Sequence, residues 1–147
     1  MTMFFRFLLS LVISSSCFNK PKQDWNNAKI EYEASSRGYY SKIIIEKRII
    51  SISKERNSIL EPEVKNINTK DWNYLVTCLK KVNLKKLQEY KDPTQDRFFD
   101  GAPIGSLKIN YKGKEYQSVS FDHGTPPVEI EKLVSKIISL AEINNGN

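Results

Sequence analysis

Three stretches in the first third of the chain combine hydrophobic and polar residues in the manner of β-strands. In residues 28–34 the two kinds alternate, so that Ile30 and Tyr32 share one face, which is typical of a half-buried strand. Residues 40–46 contain three consecutive isoleucines, and residues 48–54 alternate again. The sequence therefore predicts three strands close together along the chain.

Short turns are expected to join these strands. Residues 35–38 interrupt the alternation, and Gly38 would supply a positive φ where the turn requires one. Residues 46–47 are expected to form a tight hairpin, although they lack the usual Asn-Gly sequence. Residues 56–67 are polar and include Pro62, so we expect a loop with at most an irregular edge segment.

Hydrophobic residues then recur at helical spacing in two segments, which predicts two amphipathic helices. Asn68 and Thr69 supply an N-cap for the first, and Asp71 favours the positive end of its dipole. Thr125 is expected to cap the second helix, with Pro126 at its first position. The apolar stripes consist of Trp72, Leu75, Val76, Leu79 and Val82 in the first helix, and of Ile130, Leu133, Val134, Ile137, Leu140 and Ala141 in the second.

Between the two helices, residues 107–111 and 116–121 alternate on either side of a Lys112-Gly113 turn, which predicts a hairpin. Residues 91–105 are rich in turn-forming residues and are expected to connect the elements without regular structure. Because hairpins favour antiparallel pairing, the sequence predicts an α+β fold with the order βββαββα. Both helices would cover one face of an antiparallel sheet of about five strands.

The N-terminal segment has the features of a secretory signal. Arg6 lies in a short leading region, residues 7–13 are almost all apolar, and three small serines precede Cys17. Lipoprotein processing requires a cysteine at this place, so we expect lipid on Cys17, although Ser14 stands where the lipobox commonly has Leu or Val. The alternatives are an ordinary signal peptide cut near Ser16, and an uncleaved anchor whose apolar stretch is short for a membrane span.

These features divide the chain into four expected parts. They are a signal peptide of the lipoprotein type (1–16), the lipidated cysteine with a tether (17–27), a single α+β domain (28–143) and a disordered tail (144–147). No acidic sorting signal follows Cys17. We therefore expect an exported protein anchored in the cell envelope, at the outer membrane and facing the periplasm.

The composition excludes several kinds of binding and catalytic site. The chain of 147 residues holds one histidine and two cysteines, which is too few for a disulfide framework or a zinc site. Cys78 lies in an apolar helical stretch and is expected to be buried. The net charge of +6 comes from dispersed lysines, which favours attraction to anionic lipid over a nucleic-acid interface. The sequence has no Gly-rich phosphate loop and no nucleophile elbow, and we expect no cofactor.

One pair of residues could carry chemistry. Asp122 and His123 follow a predicted strand and precede a helix N-terminus, where an adjacent carboxylate would raise the imidazole pKa and orient the ring. Arg37 or Arg97, from other long turns, would complete a small polar site. The alternative is structural: Asp122 and His123 hydrogen-bond the connection and fix the entry of the helix.

The loop of residues 94–102 is a second candidate. It contains Asp100 and the adjacent Phe98 and Phe99, which would be costly to expose unless they meet a partner or close the edge of the core as a lid. Residues 35–40 include two adjacent tyrosines and are a third candidate, as a contact surface.

Four short motifs carry a family resemblance. They are the loose lipobox, Ser36-Arg37-Gly38, Asp100-Gly101-Ala102 and Phe121-Asp122-His123-Gly124. With them the chain resembles small uncharacterised lipoproteins of Bacteroidetes, especially of the flavobacterial kind, from about Ile30 to the last helix. The resemblance implies an envelope location, and it supplies no activity and no site residues.

The sequence thus predicts an envelope lipoprotein whose domain binds another protein or an envelope component and has no catalytic role. Its expected partners are the membrane, through the lipid, and a protein or envelope component, but not nucleic acid. Two other functions stay open. One is a small inhibitor or immunity-like protein that inserts the loop around Phe98 into an enzyme, and the other is a hydrolase that uses His123.

Overall fold

The computed structural model describes residues 24–57 and 59–142. The predicted signal peptide, the lipidation site at Cys17, most of the tether and the predicted tail lie outside the described residues. Among the residues described, no helix combines the length and the apolar character needed to cross a membrane.

Seven strands and two α-helices follow one another in the described part of the chain. The strands are β1 (Lys29–Ser35), β2 (Tyr40–Glu46), β3 (Ile49–Ser53), β4 (Glu63–Asn66), β5 (Ile104–Tyr111), β6 (Lys114–Gln117) and β7 (Phe121–Asp122). The helices are α1 (Thr69–Lys81) and α2 (Glu131–Glu142). Short 3-10 segments lie at Trp25–Asn27, Leu84–Lys86 and Asp96–Phe99.

All seven strands belong to one antiparallel sheet. Its order is β4-β3-β2-β1-β5-β6, and β7 pairs with the first residues of β5 beyond the end of β6. Neighbours in this order are mostly joined by hairpins, and only β1 and β5, which lie far apart in the chain, meet at the centre. The predicted α+β class is confirmed, with seven strands instead of about five.

One face of the sheet is buried beneath both helices. In β1 the inward residue Tyr32 lies opposite Ile43 of β2 and Leu107 of β5, so the apolar side chains of the central strands share that face. The apolar stripes of α1 and α2 belong to the same hydrophobic cluster. The opposite face is polar, as shown by Glu31, which pairs there with Lys29 at 2.8 Å. The two helices therefore lie on one face, as predicted.

The start of α1 follows the predicted capping pattern. The side chain of Asn68 accepts a hydrogen bond from the backbone N–H of Asp71 at 2.9 Å, which satisfies one of the free donors of the first turn. Cys78 is buried in this helix, as predicted.

The core begins before the predicted domain boundary at residue 28. Trp25 is buried and stacks on Tyr111, the last residue of β5, with 4.2 Å between the ring centroids. Trp25 thereby places the start of the described chain at the end of the sheet where β1 begins and β5 finishes.

Two of the differences from the prediction concern strands. β4 lies at the edge of the sheet with mostly exposed residues, so its sequence lacks the alternation that a half-buried strand shows. β7 is separate because the strand expected at 116–121 is interrupted. One extra residue at 118–120 forms a bulge, and the Ser118 hydroxyl accepts a hydrogen bond from the Leu107 N–H at 3.0 Å.

The second helix also begins later than predicted. Thr125 does not cap it, since its N–H closes a turn with the carbonyl of Asp122 at 2.8 Å. The adjacent Pro126 and Pro127 delay the helix because a residue before proline is disfavoured in the helical conformation. A turn precedes the helix, with hydrogen bonds from Ile130 and Glu131 to the carbonyls of Pro127 and Val128, and Val134 then donates to the carbonyl of Ile130 at 2.9 Å.

Two hairpins close through turns with positive φ at both central residues. Lys112 and Gly113 have φ values of 51° and 73°, in the predicted turn. Lys47 and Arg48 have φ values of 49° and 68°, one position later than predicted, and form the same kind of turn without glycine. Gly38, in contrast, does not adopt a positive φ.

The Lys47-Arg48 turn predicts a stabilising substitution. Asn tolerates the left-handed conformation better than Lys, so Lys47→Asn should raise the free energy of unfolding by about 0.5–1 kcal/mol. Urea denaturation would measure the gain. The matched control is Lys114→Asn, at an exposed strand position, which should give no gain. Equal effects of the two substitutions would contradict the turn assignment.

Candidate functional site

The residues proposed from the sequence gather at one end of the sheet. We call it the site end: there β1 and β3 finish, β2 and β5 begin, and β7 lies beside β5. The loop that contains the 3-10 segment Asp96–Phe99 packs against β7 at this end. Four separate parts of the chain thus contribute to one surface.

Asp122 is buried and holds this loop in place. Its carboxylate accepts hydrogen bonds from the hydroxyl of Thr94 at 2.6 Å and from the backbone N–H groups of Asp96 and Arg97 at 2.7 and 3.0 Å. The guanidinium of Arg97 donates a fourth, at 3.0 Å. One carboxylate therefore fixes both the backbone and a side chain of the loop.

Arg97 is held from several directions. Besides its bond to Asp122, its guanidinium donates to Asp92 at 2.7 Å and to the carbonyl of Thr94 at 2.9 Å. Its side chain is buried, and its guanidinium carbon lies 4.4 Å from the centroid of the Phe98 ring. Arg97 is thus a structural centre of the loop, with its positive charge balanced by two carboxylates.

The hydrogen bonds to Asp122 also govern its ionisation. Burial by itself would raise the pKa of this carboxyl. The hydrogen bonds from Thr94, from the Arg97 backbone and guanidinium, and from Asp96 outweigh burial and hold the pKa of Asp122 well below its usual range. Asp122 is therefore a carboxylate at any ordinary pH.

His123 points away from Asp122, so the predicted orientation of the imidazole by its neighbour is wrong. Successive residues of an extended chain project to opposite sides, and the Asp122 side chain is already occupied by the loop. The ring of His123 meets two tyrosines instead. Nδ1 lies 2.7 Å from the hydroxyl of Tyr32, and Nε2 lies 3.3 Å from the hydroxyl of Tyr39.

Burial shifts the pKa values of both Tyr32 and His123. It raises the pKa of the enclosed Tyr32 well above its usual range, and the same effect lowers the pKa of His123, although Glu142 partly offsets it. The expected rise in the His123 pKa is therefore also wrong. The imidazole of His123 is therefore neutral at neutral pH.

In the described part of the chain, three cavities of about 470, 370 and 270 Å³ open at the site end. The first, of about 470 Å³, is the arginine cleft, lined by Arg37, Arg56, Arg97 and Asp100 among others. Arg56 is held at its wall, because it donates to the carbonyl of Ser36 at 3.1 Å. Of the residues proposed from the sequence, Arg37, Arg97 and Asp100 are therefore brought together, with Asp122 directly beneath Arg97.

The last of these cavities, of about 270 Å³, lies between the sheet and the end of α2. We call it the tyrosine cavity. Its wall includes Tyr39, Tyr40 and His123, with Ile43 and Ile52 from the buried face of the sheet. His123 is thus separated from the other proposed residues by the turn that connects β1 and β2.

The loop also presents two aromatic rings to solvent. Phe98 is 65% exposed and Phe99 84% exposed, so neither ring closes the core as a lid. Asp100 follows with a φ of 55° and ends the 3-10 segment. We call residues 94–100 the recognition loop.

Several residues of the site were not identified from the sequence. In the sequence Tyr32 resembles an ordinary core residue, because it occupies an apolar position in the alternating pattern of a strand. Arg56 and Thr94 lie in segments without periodicity, so no local signal distinguishes them from other loop residues. The two tyrosines in residues 35–40 were proposed as a contact surface, and Tyr39 does reach His123.

The described part of the chain holds no cluster of three or more His, Cys, Asp or Glu side chains able to bind a metal ion. Comparisons of the chain with family models, with curated proteins and with solved structures give no match.

The His123 pKa predicts how stability depends on pH. Because the folded-state pKa lies below the ordinary 6.5, the unfolded chain takes up a proton first as the pH falls, and stability should decline from about pH 6.5 downwards. His123→Gln keeps a hydrogen-bonding partner for Tyr32 but does not titrate. Urea denaturation at pH 7.5 and 5.5 should show a loss for the natural chain and a smaller loss for the variant, and equal losses would count against this account.

Proposed function

We propose that this protein is a cell-envelope lipoprotein, fastened by lipid on Cys17, whose domain is a non-enzymatic binding module. The first part of the proposal is supported by the leader pattern and by the resemblance to lipoproteins of Bacteroidetes. Only seven residues separate Cys17 from the buried Trp25. Even fully extended, this segment reaches roughly 28 Å, so the domain would stay close to the membrane surface.

The position of the site end, at the opposite end of the sheet from Trp25, supports a role in binding. Trp25 stacks on Tyr111 at one end of β5, whereas the site end lies at the other end of the same strand, at Ile104. A strand of this length separates the two ends by roughly 20 Å. The site end is thus remote from the point where a tether would enter the domain, and it is accessible to a partner in the surrounding compartment.

The exposure of Phe98 and Phe99 is the observation that carries the binding proposal. Burying a phenylalanine side chain is worth about 1.5–3 kcal/mol, and adjacent exposed rings on a soluble domain mark a contact surface. The Asp122 hydrogen bonds fix the loop backbone next to these rings. Less conformational entropy would then be lost when a partner covers them, which favours affinity.

The environment of His123 supports a role other than catalysis. General base catalysis requires a ring nitrogen within reach of the group that loses its proton. Here both ring nitrogens lie beside tyrosine hydroxyls, and no serine or cysteine contacts the ring in the described residues. These contacts favour a role for His123 in the wall of the tyrosine cavity over a role as the base of a hydrolase.

A second candidate function is supported by the same loop. A rigid loop with a protruding aromatic residue is the form by which small protein inhibitors occupy an enzyme's cleft. Phe99, which is 84% exposed, and the acidic residues Asp96 and Asp100 near it in the chain are suitable for such an insertion. The protein would then be an inhibitor or immunity-like protein, which differs from a general binding module in the effect on its partner's activity.

The anchor can be tested on the full-length protein in a bacterial host that processes lipoproteins. Intact mass of the membrane-extracted chain should show Cys17 as its first residue plus the mass of acyl groups. Cys17→Ser should lose this mass and move to the soluble fraction, while Cys78→Ser, at a buried position, should keep both properties. Normal membrane partition of Cys17→Ser would contradict the lipid anchor.

The recognition loop can be tested by site-specific photo-crosslinking in cells. A photoreactive amino acid at position 99 should give one discrete adduct, whereas the same group at Val128, which is 76% exposed on a different loop, should not. Phe98→Ala should reduce the adduct at least tenfold if Phe98 is an interface hot spot.

Similar adducts from positions 99 and 128, or no effect of Phe98→Ala, would overturn this assignment. Once the partner is identified from the mass of the adduct, its activity separates the two candidate functions. Loss of enzymatic activity on adding the purified chain would indicate an inhibitor. Unchanged activity in the presence of a stable complex would indicate a binding module.

A further inference from the structure

We propose that the tyrosine cavity binds a small apolar molecule that carries a carboxylate. The cavity is separate from the recognition loop, so this inference does not depend on the proposed function. Its residues come from β2 and the turn before it, from β3 and the residue after it, from the turn after β7 and from the end of α2.

The walls of the cavity are suited to an apolar body. Ile43 and Ile52 come from the buried face of the sheet, and Ile138 and Ala141 come from α2. The ring of Tyr39 lies beside that of His123, with 5.3 Å between the centroids. The cavity, of about 270 Å³, is slightly smaller than a typical drug-sized site, and it combines apolar walls with a few polar groups as small-molecule sites do.

The polar groups at the cavity are mainly donors. The hydroxyl of Tyr39 lies 3.3 Å from Nε2 of His123 at the wall of the cavity. It can donate to a bound molecule, because the ring of His123 is its one hydrogen-bond partner among the described residues. The hydroxyl of Ser41 also lines the wall.

Lys54 supplies the positive charge. It lines the cavity, is exposed, and has no ion-pair partner among the described residues. A ligand carboxylate would accept hydrogen bonds from Lys54 and from the Tyr39 hydroxyl, which are stronger than bonds to a neutral acceptor. Glu142 is the opposing charge on the wall, so it would weaken the binding of an anion.

The probes are octanoate and octanol, which have the same apolar chain and differ in the carboxylate. Titration of the full-length chain would be followed through the imidazole resonances of the lone histidine, His123. Octanoate should shift these resonances saturably, with octanol at least about tenfold weaker. Lys54→Gln should weaken octanoate binding about tenfold, since a charge-assisted hydrogen bond is lost.

Two further variants provide a control and a test of the opposing charge. Lys80→Gln, an exposed lysine on α1, is the control and should leave octanoate affinity unchanged. Glu142→Gln should strengthen it. The proposal is overturned if octanoate causes no saturable shift, if octanol binds as tightly as octanoate, or if Lys54→Gln and Lys80→Gln behave alike.

Discussion

The carboxylate of Asp122 accepts four hydrogen bonds in a position that excludes water, and the site end is organised around it. A buried charge is costly unless it is fully hydrogen-bonded. Here the donors come from a loop that has little regular structure of its own, so the same interactions that compensate the charge also order the loop. The placement of Arg97, the exposure of Phe98 and Phe99, and the shape of the arginine cleft all follow from this one residue.

The two ends of the sheet carry different features. Trp25 anchors the start of the domain at one end of the central strands, and the loops that carry polar and aromatic side chains lie at the other. In the proposed function, a lipid on Cys17 would hold one end of the sheet near the bilayer and present the opposite end to the surrounding compartment. Two adjacent but separate features lie at that opposite end: the exposed rings of Phe98 and Phe99 on a loop, and the recessed tyrosine cavity.

Tertiary structure reversed the expected relation between Asp122 and His123. As neighbours in sequence at the end of a strand they project to opposite sides, so each is controlled by residues far away along the chain. Asp122 meets the loop around Arg97, and His123 meets Tyr32 and Tyr39. Arg37 and Arg97 of that proposed site do share a cleft with Asp100 of the second candidate, because the turns at one end of an antiparallel sheet are neighbours in space.

By itself the sequence determined the elements whose signals are local. The alternation around Tyr32, the Asn68 cap and the Lys112-Gly113 turn all depend on residues a few positions apart, and the α+β class follows from their order. Only the tertiary structure decided what depends on distant partners. The edge strand β4 is stabilised by its neighbour without an apolar pattern of its own. Likewise, the loop around Arg97 is ordered by a carboxylate twenty-five residues away, which no local pattern encodes.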